Sequence, residues 1–405
     1  MTEDFLGNQV QFLLKNYRIC DSCLGRFFRS VQKGVPNHQK GVFLRNKFHI
    51  SQQIPAADCW LCEGLTSEIQ QLSSLIANQL QEYEYSTFLI GSKIDEEIVQ
   101  KEEQLWSLLA PTDTEPLKME INREIGKILE NKLGKLVNFE DPDIMVILDT
   151  SFHVLSLQIK SLYLYGRYKK FDRTIPQTKW PCRVCRGKGC KHCHDTGKLY
   201  ETSVEEIIAG KALPLTKGTD ESLHGSGRED IDARMLGNGR PFVLEIKNPK
   251  IRTIDLDTLE QTVNSSSRNI IEISSLRYST KDEVARIKAA EFQKTYRILI
   301  EATQVFHKEK LKKACRTLRG TIIKQFTPTR VAHRRANKVR ERKIYNCEVE
   351  SIEGTIARLV IETDSGTYIK ELVSGDNQKT TPSLSELLGI PCVVKELDVI
   401  EIKGE

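Results

Sequence analysis

The chain has 405 residues, of which 39% are hydrophobic and 28% are charged, and its formal net charge is +5. This composition is typical of a soluble globular protein with two or three domains and excludes a disordered chain. No apolar run approaches the roughly 20 residues that cross a bilayer, and the N-terminus lacks the basic and apolar regions of a secretion signal. We therefore expect a cytoplasmic protein that does not bind membranes.

The first segment, residues 1–65, contains two cysteine pairs. A helical pattern spans residues 5–14, and the pairs Cys20/Cys23 and Cys59/Cys62 follow it. Pairs with two-residue gaps in such a chain are typical of metal ligands, because a tight turn aims both sulfurs at one ion. We expect these four cysteines to hold a structural zinc ion once the fold brings the two pairs together.

The second segment, residues 66–178, alternates between helical and strand patterns. Helical periodicity covers residues 67–82, 95–108 and 117–133, and apolar strand patterns cover 87–90, 144–148 and 154–159. This alternation predicts a small α+β domain.

Residues 179–200 are a predicted zinc ribbon that links the neighbouring segments. Its four cysteines are Cys182, Cys185, Cys190 and Cys193. Gly187 and Gly189 let the chain reverse between the two pairs. Four thiolates close a tetrahedral site and leave no position for an activated water, so we assign the zinc to folding and expect no catalytic cofactor. The His-x-Glu that a nucleobase deaminase carries upstream of its cysteines is also missing.

The last segment, residues 201–405, begins with the capping-box pattern of Ser203 to Glu206, which predicts the start of a helix. Strand patterns at 242–246, 297–302, 344–351 and 356–363 alternate with polar connections. This arrangement predicts a mixed sheet with flanking helices.

Two stretches of the chain are strongly basic. Residues 167–198 carry ten Lys/Arg against two acids, and residues 316–343 carry ten against one. Such stretches suit a nucleic-acid backbone, since each phosphate contact releases counterions. A solvated basic face explains one stretch equally well, but two stretches beside cysteine clusters favour nucleic acid.

The candidate catalytic loop is Gly225–Phe242, which contains three acids, three arginines and four glycines. Glycines allow a close approach to a ligand, and a fixed carboxylate beside arginines suits an anionic substrate. A charged surface turn is the alternative interpretation of this composition. The glycines do not complete a dinucleotide motif, so we expect no nucleotide cofactor.

Several motifs resemble those of pseudouridine synthases. Gly227–Asp230 is similar to their G-R-x-D motif, and Gly366–Leu372 is similar to a later G-T-Y-I-R/K segment. Gly166–Cys182 and Gly237–Phe242 resemble, more narrowly, the archaeal and eukaryotic tRNA pseudouridine synthase family that modifies uridines 54 and 55, and the cysteine pairs fit its archaeal branch. This resemblance covers essentially the whole chain. It implies an α+β protein with an N-terminal zinc-containing THUMP-type RNA-binding domain and a C-terminal synthase domain with a mixed, largely antiparallel sheet.

The resemblance also implies catalytic roles. Asp230 matches the catalytic aspartate, and Asp232 is the acid most easily confused with it. Lys370 matches the basic residue that pairs with this aspartate, where most pseudouridine synthases carry arginine. Tyr296 matches the active-site tyrosine, whose ring can stack on uracil and whose hydroxyl can help to remove the C5 proton. Without the resemblance, Tyr296 is more simply a core residue.

The resemblance further implies substrate contacts. Ile369 and Leu397 match apolar positions of the uracil pocket, although composition alone would place both in the core. The expected contacts with substrate also include Arg228 and Tyr368, which belong to the matched motifs. The target uridine must be flipped out of folded RNA, and the basic segment 329–335 is similar to the family's RNA-gripping loop. This similarity assigns three arginines to tRNA phosphates: Arg330, Arg334 and Arg335.

The sequence therefore predicts a monomer that acts on tRNA without a catalytic cofactor. One alternative is a noncatalytic zinc-containing RNA-binding protein or tRNA chaperone, although the joint presence of Asp230, Tyr296 and Lys370 disfavours it. Another is a different THUMP-bearing enzyme, such as a methyltransferase or a thiolation enzyme, although nucleotide-binding glycine motifs are missing. The sequence leaves three questions open. They are whether uridine 54, uridine 55 or both are modified, which atom Asp230 attacks first, and whether each metal site is filled.

Overall fold

The computed structural model describes residues 3–109, 113–334 and 336–404, without the side chains of His333 and Arg334. The chain forms two compact units, one of Met1–Lys160 with Asn248–Arg252 and the other of Ser161–Lys247 with Thr253–Glu405. These bounds differ from the four predicted segments, because a strand that begins at Leu162 belongs to the sheet of the second unit. Within the described ranges, no helix has the length and apolar character needed to cross a bilayer.

The first unit combines helices with a small sheet. Its helices are α1 (Glu3–Asn16), α2 (Asp21–Phe27), α3 (Asn37–Lys47), α4 (Ile69–Leu80), α5 (Glu96–Leu109) and α6 (Leu117–Leu133). Its strands are β1 (Thr87–Lys93), β2 (Leu136–Val137), β3 (Ile144–Asp149) and β4 (Val154–Ile159). The strand order in the part of the chain described is β2-β1-β3-β4, where β1 is parallel to β2 and β3, and β4 is antiparallel to β3.

Periodicity explains how this unit buries its core. Every second residue of β1 is buried, starting at Phe88, so one face of the sheet packs against the helices. In α4, Leu72, Ile76 and Leu80 recur every four residues and form a buried stripe. The predicted helices and strands of residues 66–159 are confirmed, with ends that agree to within three residues.

The second unit is built around one large sheet. Its strands are β5 (Leu162–Lys170), β6 (Asp220–Gly225), β7 (Ala233–Lys247), β8 (Ile271–Ser279), β9 (Lys294–Ala302), β10 (Ile322–Gln325), β11 (Arg340–Glu353), β12 (Ile356–Thr363), β13 (Thr380–Thr381) and β14 (Cys392–Ile402). Its helices are α7 (Val204–Thr216), α8 (Leu256–Ser266), α9 (Lys281–Ala289), α10 (Lys308–Leu318), α11 (Ile369–Ser374) and α12 (Leu384–Leu388).

The order of these strands places distant segments side by side. Among the described residues the sheet has ten strands in the order β13-β10-β11-β12-β9-β14-β7-β5-β8, with β6 paired to β7. The β7–β14 pair is parallel, and the other pairs are antiparallel. The prediction of a mixed, largely antiparallel sheet is therefore confirmed. Part of the predicted catalytic loop is strand, because β7 begins at Ala233 and not near Phe242. Because β14 lies between β9 and β7, it joins the strand that carries Tyr296 to the strand that follows Asp230.

The predicted helix after Ser203 is present as α7. The Ser203 hydroxyl accepts a hydrogen bond of 3.2 Å from the Glu206 amide and donates one of 2.9 Å to the Glu206 carboxylate. The contact with the amide is the helix-capping half of the predicted box.

Candidate active site

One cavity of about 260 Å³ in the second unit brings together most of the predicted site residues. Its lining includes Arg228, Asp230, Tyr296, Arg330, Tyr368, Ile369, Lys370 and Leu397. These residues come from the loop before β7, from β9 and β14, from the segment that enters α11, and from a 3₁₀ turn at Thr329–Arg334. The side chain of Arg334 and the whole of Arg335 lie outside the described residues, so their assignment to phosphates stays a prediction.

Backbone contacts hold the loop that carries Asp230. Gly227 has a φ of 76°, a left-handed conformation that favours glycine. The Asp230 carbonyl accepts a hydrogen bond of 3.0 Å from the Ala233 amide, and the next carbonyl, of Ile231, accepts one of 2.6 Å from the buried Lys170 ammonium. These contacts fix the direction in which the Asp230 side chain leaves the backbone.

Three charged side chains line the opening of the cavity, Asp230, Arg330 and Lys370, and Asp232 contacts Lys370 beside it. These four side chains are called the rim. The Arg330 guanidinium donates to Asp230 Oδ1 at 3.0 Å. Lys370 Nζ lies 3.6 Å from Asp230 Oδ2 but only 2.6 Å from the nearer oxygen of Asp232. The expected pairing of Lys370 with Asp230 is therefore present as the longer of two contacts, and Asp232 takes the shorter one.

The contact with Lys370 has an electrostatic effect on Asp232. Partial burial acts to raise the pKa of Asp232, but the hydrogen bond and charge of Lys370 outweigh it and hold this pKa below its ordinary value. Asp232 is therefore ionised at neutral pH.

Arg330 contacts two acidic side chains, and its contact with a phosphate stays a prediction. Besides Asp230, it donates to the two carboxylate oxygens of Glu371 at 2.7 and 3.3 Å. Burial acts to lower the pKa of Arg330, but the two carboxylates raise it above its ordinary value. Arg330 thus links the candidate nucleophile to α11, whereas the sequence suggested contacts with phosphates.

Behind the rim, three buried side chains form the wall of the site: Tyr168, Glu229 and Arg240. The Tyr168 hydroxyl lies 2.9 Å from both oxygens of Glu229, and Arg240 Nε lies 2.9 Å from Glu229 Oε2. Arg240 also donates to the Ser226 carbonyl at 2.6 Å. Because Glu229 directly precedes Asp230, the wall anchors the candidate catalytic loop from behind.

Strand β9 supplies two side chains to the cavity. Lys294 and Tyr296 are two residues apart, so they point to the same face of the strand, and both line the cavity. Burial raises the pKa of Tyr296 to about 12. Burial, together with the charge of Arg240, lowers the pKa of Lys294 to about 7. At neutral pH the tyrosine hydroxyl therefore keeps its proton, while the lysine is close to half neutral.

The predicted apolar residues close the cavity. Ile369 and Leu397 are 3% and 7% exposed. Leu397 lies on β14 opposite Ile298 of β9 and Ala233 of β7, so the order of the strands determines its position. Both side chains offer a surface on which a flat base can rest.

The two predicted substrate contacts beside this surface are also placed by tertiary contacts. Hydrogen bonds with the Gln325 side chain, of 2.9 and 3.0 Å, hold the backbone of Tyr368. The Arg228 guanidinium lies 5.7 Å from the centre of the Trp180 ring. Arg228 is therefore in range of a cation–π interaction at the edge of the cavity.

The first cysteine group lies in the core of the first unit. Cys20, Cys23, Cys59 and Cys62 are all buried, and their sulfurs lie within 4.8 Å of one another. Cys20 and Cys23 flank the start of α2, which crosses α3 closely. A Cβ at Gly25 would overlap the carbonyl of Asn37. The two pairs, 39 residues apart in sequence, are thus brought together as expected, and the group could hold a metal ion.

The second cysteine group lies in the ribbon of the second unit. The sulfurs of Cys182, Cys185, Cys190 and Cys193 also lie within 4.8 Å of one another. Gly187 and Gly189 have φ values of 95° and 89°, which explains how the chain reverses between the pairs. A bridge between Pro181 and Lys198 closes the ribbon at its base. This group could hold a metal ion as well.

Sequence reasoning missed Lys294 and the wall. Lys294 could have been noticed from its position in the strand. It is charged, yet it lies on the same face of β9 as Tyr296 and Ile298, where an apolar residue is expected. Glu229 occupies the variable position of the G-R-x-D motif, and no local pattern shows that it is buried against Arg240.

The chain is similar to known proteins in both of its units. Family models match in two places, one described as "Pus10, C-terminal" over residues 163–403 and one as "Pus10 THUMP domain, archaeal" over residues 72–149. A chain from a solved Cbf5-Nop10-Gar1 complex aligns with 58% of this chain and 48% of its own length, at 16% identity and a TM-score of 0.32, which is too low to support an argument.

Relatives match along the whole chain. A tRNA pseudouridine synthase Pus10 of Methanothrix thermoacetophila is 39% identical, over 100% of this chain and 96% of its own length. The protein of the same name from Halorubrum lacusprofundi is 37% identical, over 96% and 94%. That from Methanothermobacter marburgensis is 39% identical, over 95% of each chain. With such relatives, and with a family model matching more than half of its residues, the chain belongs to the Pus10 family of tRNA pseudouridine synthases.

Proposed function

We propose that the chain isomerises uridine to pseudouridine at position 54, position 55 or both in the TΨC loop of tRNA, with Asp230 as the nucleophile. The observation that carries this proposal is the convergence of Asp230, Tyr296, Ile369 and Leu397 on one cavity in a member of this family. The reaction breaks the bond between C1′ and N1 of uridine, turns the base and joins C1′ to C5. A carboxylate beside the sugar and a surface that holds the free base are therefore required.

The surroundings of Asp230 support its role. Arg330 and Lys370 place two positive charges within 3.0 and 3.6 Å of its carboxylate and hold this side chain at the opening of the cavity. The cavity is open at this rim, where the Asp230 side chain is 31% exposed. A uridine flipped out of the RNA would enter here, with its base between Tyr296 and the apolar pair Ile369 and Leu397.

We propose zinc for both cysteine groups. A tetrahedral zinc ion with Zn–S bonds of about 2.3 Å places its sulfurs about 3.8 Å apart. The Cys185–Cys193 distance is 3.8 Å, the Cys190–Cys193 distance is 3.7 Å and the Cys20–Cys62 distance is 4.0 Å. Because four thiolates fill the coordination shell, such an ion stabilises the fold and leaves the chemistry to the cavity. Reduced thiolates also support a location in the cytoplasm.

The proposed activity is tested by incubating the protein with an unmodified tRNA transcript, without a cofactor, and mapping pseudouridine in the TΨC loop. We expect the unaltered protein to form pseudouridine and Asp230→Asn to form none while still binding the transcript. Asp232→Asn is the matched control, because it removes the neighbouring carboxylate and leaves Asp230 in place. It should still form pseudouridine.

Two results would contradict the proposal. Pseudouridine formation by Asp230→Asn would show that Asp230 is not the nucleophile. Binding of the transcript by the unaltered protein, without any isomerisation, would favour a noncatalytic RNA-binding protein.

A further inference from the structure

Lys294 is a buried lysine that lines the cavity, and the reaction proposed above gives it no role. It is 8% exposed, and its side chain shares one face of β9 with Tyr296. Among the described residues, its ammonium group makes no hydrogen bond or ion pair. A side chain added at Gly227 would begin 3.0 Å from Lys294 Nζ, so the amine lies directly beside the loop that carries Asp230.

Within the described part of the chain, the charges around Lys294 leave its ammonium without a partner. From β7, Arg240 faces it as a second cation, and from the loop, Glu229 faces it as an anion. Glu229 is already bound by Arg240 and by Tyr168. The remaining charged groups of the cavity are Arg228, Asp230, Arg330 and Lys370, and its remaining titratable groups are Tyr296 and Tyr368. Burial and the positive charge of Arg240 therefore favour the neutral amine, which has a free lone pair.

The proposed isomerisation requires a group of this kind. Once C1′ has joined C5, the C5 atom still carries its hydrogen, and the product forms only when that proton leaves. A general base works best when its pKa lies near the operating pH. The pKa of Tyr296 is about 12, so its hydroxyl stays protonated and is unsuited to accept the proton. The pKa of Lys294 is about 7.

We propose that Lys294 is the general base that removes the C5 proton of the rearranged base; this inference rests on the proposed function. The Nζ lone pair takes the proton, and the electrons of the C5–H bond form the C5=C6 double bond. The electron pair of the C6=N1 bond moves to N1, which gains a proton from the Lys294 ammonium or from water. No electrons are exchanged with a second reactant, and the amine returns to its neutral form.

The inference is tested with Lys294→Met on three tRNA substrates, which carry uridine, 5-deuterouridine or 5-fluorouridine at the target position. Loss of a general base costs about 10²–10⁴-fold in rate, so uridine conversion should slow by at least about 100-fold. Since proton removal then limits the rate, a primary deuterium isotope effect should appear that the unaltered protein lacks at neutral pH. Consumption of 5-fluorouridine should stay within a few-fold, because fluorine occupies the position from which the proton leaves.

Tyr296→Phe is the matched control, since it removes a hydroxyl from the same face of the same strand. If Lys294 is the base, Tyr296→Phe should show no new isotope effect, whatever its rate. The unaltered protein supplies a second measurement that does not depend on the folding of a variant. Its isotope effect should grow as the pH falls below about 7 and Lys294 becomes protonated.

Defined outcomes would overturn the inference. Equal slowing of uridine and 5-fluorouridine by Lys294→Met, without an isotope effect, would make Lys294 a structural or binding residue. An isotope effect in Tyr296→Phe but not in Lys294→Met would assign the base to Tyr296. An isotope effect of the unaltered protein that does not change with pH would also exclude Lys294. If the unaltered protein converts none of the substrates, the proposed function itself fails.

Discussion

The rim and the wall of the cavity contain similar charged groups in opposite surroundings. At the rim, the side chains of Asp230 and Arg330 are 31% and 35% exposed, whereas Glu229 and Arg240 in the wall are each 1% exposed. Exposed ion pairs are screened by water and contribute little to stability, while a buried charge that loses its partner is costly. The rim can therefore exchange partners when RNA enters, and the wall holds the loop in place while it does so.

The largest expected effect comes from breaking the wall. Glu229→Ala leaves the Arg240 guanidinium buried without its carboxylate and removes the acceptor of the Tyr168 hydroxyl. We expect the free energy of unfolding, measured by urea titration, to fall by about 3–5 kcal/mol. Glu229→Gln, which keeps a hydrogen-bond acceptor, should lose less. A loss below about 1 kcal/mol in Glu229→Ala would contradict the assignment of Glu229 to a buried ion pair.

Lys294 sharpens the comparison because it is buried like the wall, yet its ammonium has no hydrogen-bond or ion-pair partner in the part of the chain that the structure describes. Its pKa of about 7 lies below the ordinary 10.5. Between these values the unfolded state binds a proton that the folded state lacks, so stability rises with pH across this window. Below about pH 7 both states are protonated and the folded state bears the whole penalty.

Replacing this lysine should therefore stabilise the protein while it impairs the reaction. We expect Lys294→Met to raise the free energy of unfolding at pH 7 by about 2–4 kcal/mol. The difference from the unaltered protein should shrink as the pH approaches 10 in urea titrations. A difference that stays constant with pH would show that Lys294 is not a destabilising buried cation.

A smaller effect is expected at Gly227, where the loop touches both the wall and Lys294. An alanine there would adopt the left-handed conformation, with its Cβ 3.0 Å from Lys294 Nζ and 3.3 Å from Arg240 Nη1. We expect a loss of roughly 1–2 kcal/mol in thermal or urea unfolding.

Gly210 offers a matched control. It lies within α7, and no atom of the described residues, apart from its own helix backbone and its chain neighbours, lies within 4 Å of the position that its Cβ would take. Gly210→Ala should gain about 0.5–1 kcal/mol, because alanine loses less conformational freedom in a helix. Equal effects of the two substitutions would contradict the strained geometry of the loop.

The smallest effect is expected at the rim. Asp232→Asn removes the ion pair with Lys370, whose side chain is 27% exposed against 61% for Asp232. We expect a loss below about 1 kcal/mol at neutral pH. The folded-state pKa of Asp232 is depressed, so its contribution is present above the ordinary aspartate pKa and disappears as the pH falls through the folded value. Unfolding curves of the two proteins should therefore converge in acid. A loss of stability well above about 1 kcal/mol would contradict the exposed character of this ion pair and make it similar to the buried pair of the wall.

The same contrast explains what the sequence could predict. Periodicity was sufficient for α4, α6 and β1, since their buried faces follow from local spacing. The motifs predicted that Asp230 and Lys370 lie together, because each belongs to a segment with a recognisable pattern. Both line the same cavity.

Features that depend on residues distant in sequence could not be predicted from the sequence. The burial of Glu229 results from a strand that pairs Phe242 with Gly166 and brings Arg240 behind the loop. The preference of Lys370 for Asp232 over Asp230 depends on distances that spacing along the chain does not set. Strands as short as β10 and β13 have too few residues to show an alternation.

The position of β14 also has a consequence for the synthesis of the protein. This strand lies between β9 and β7 and carries Leu397, yet it is translated long after Asp230 and Tyr296. Protein synthesis proceeds from the N-terminus, so a growing chain on the ribosome holds these two residues before their sheet is continuous. The cavity can close only when residues 392–402 have emerged and inserted. An incomplete nascent chain thus has no finished site with which to engage RNA.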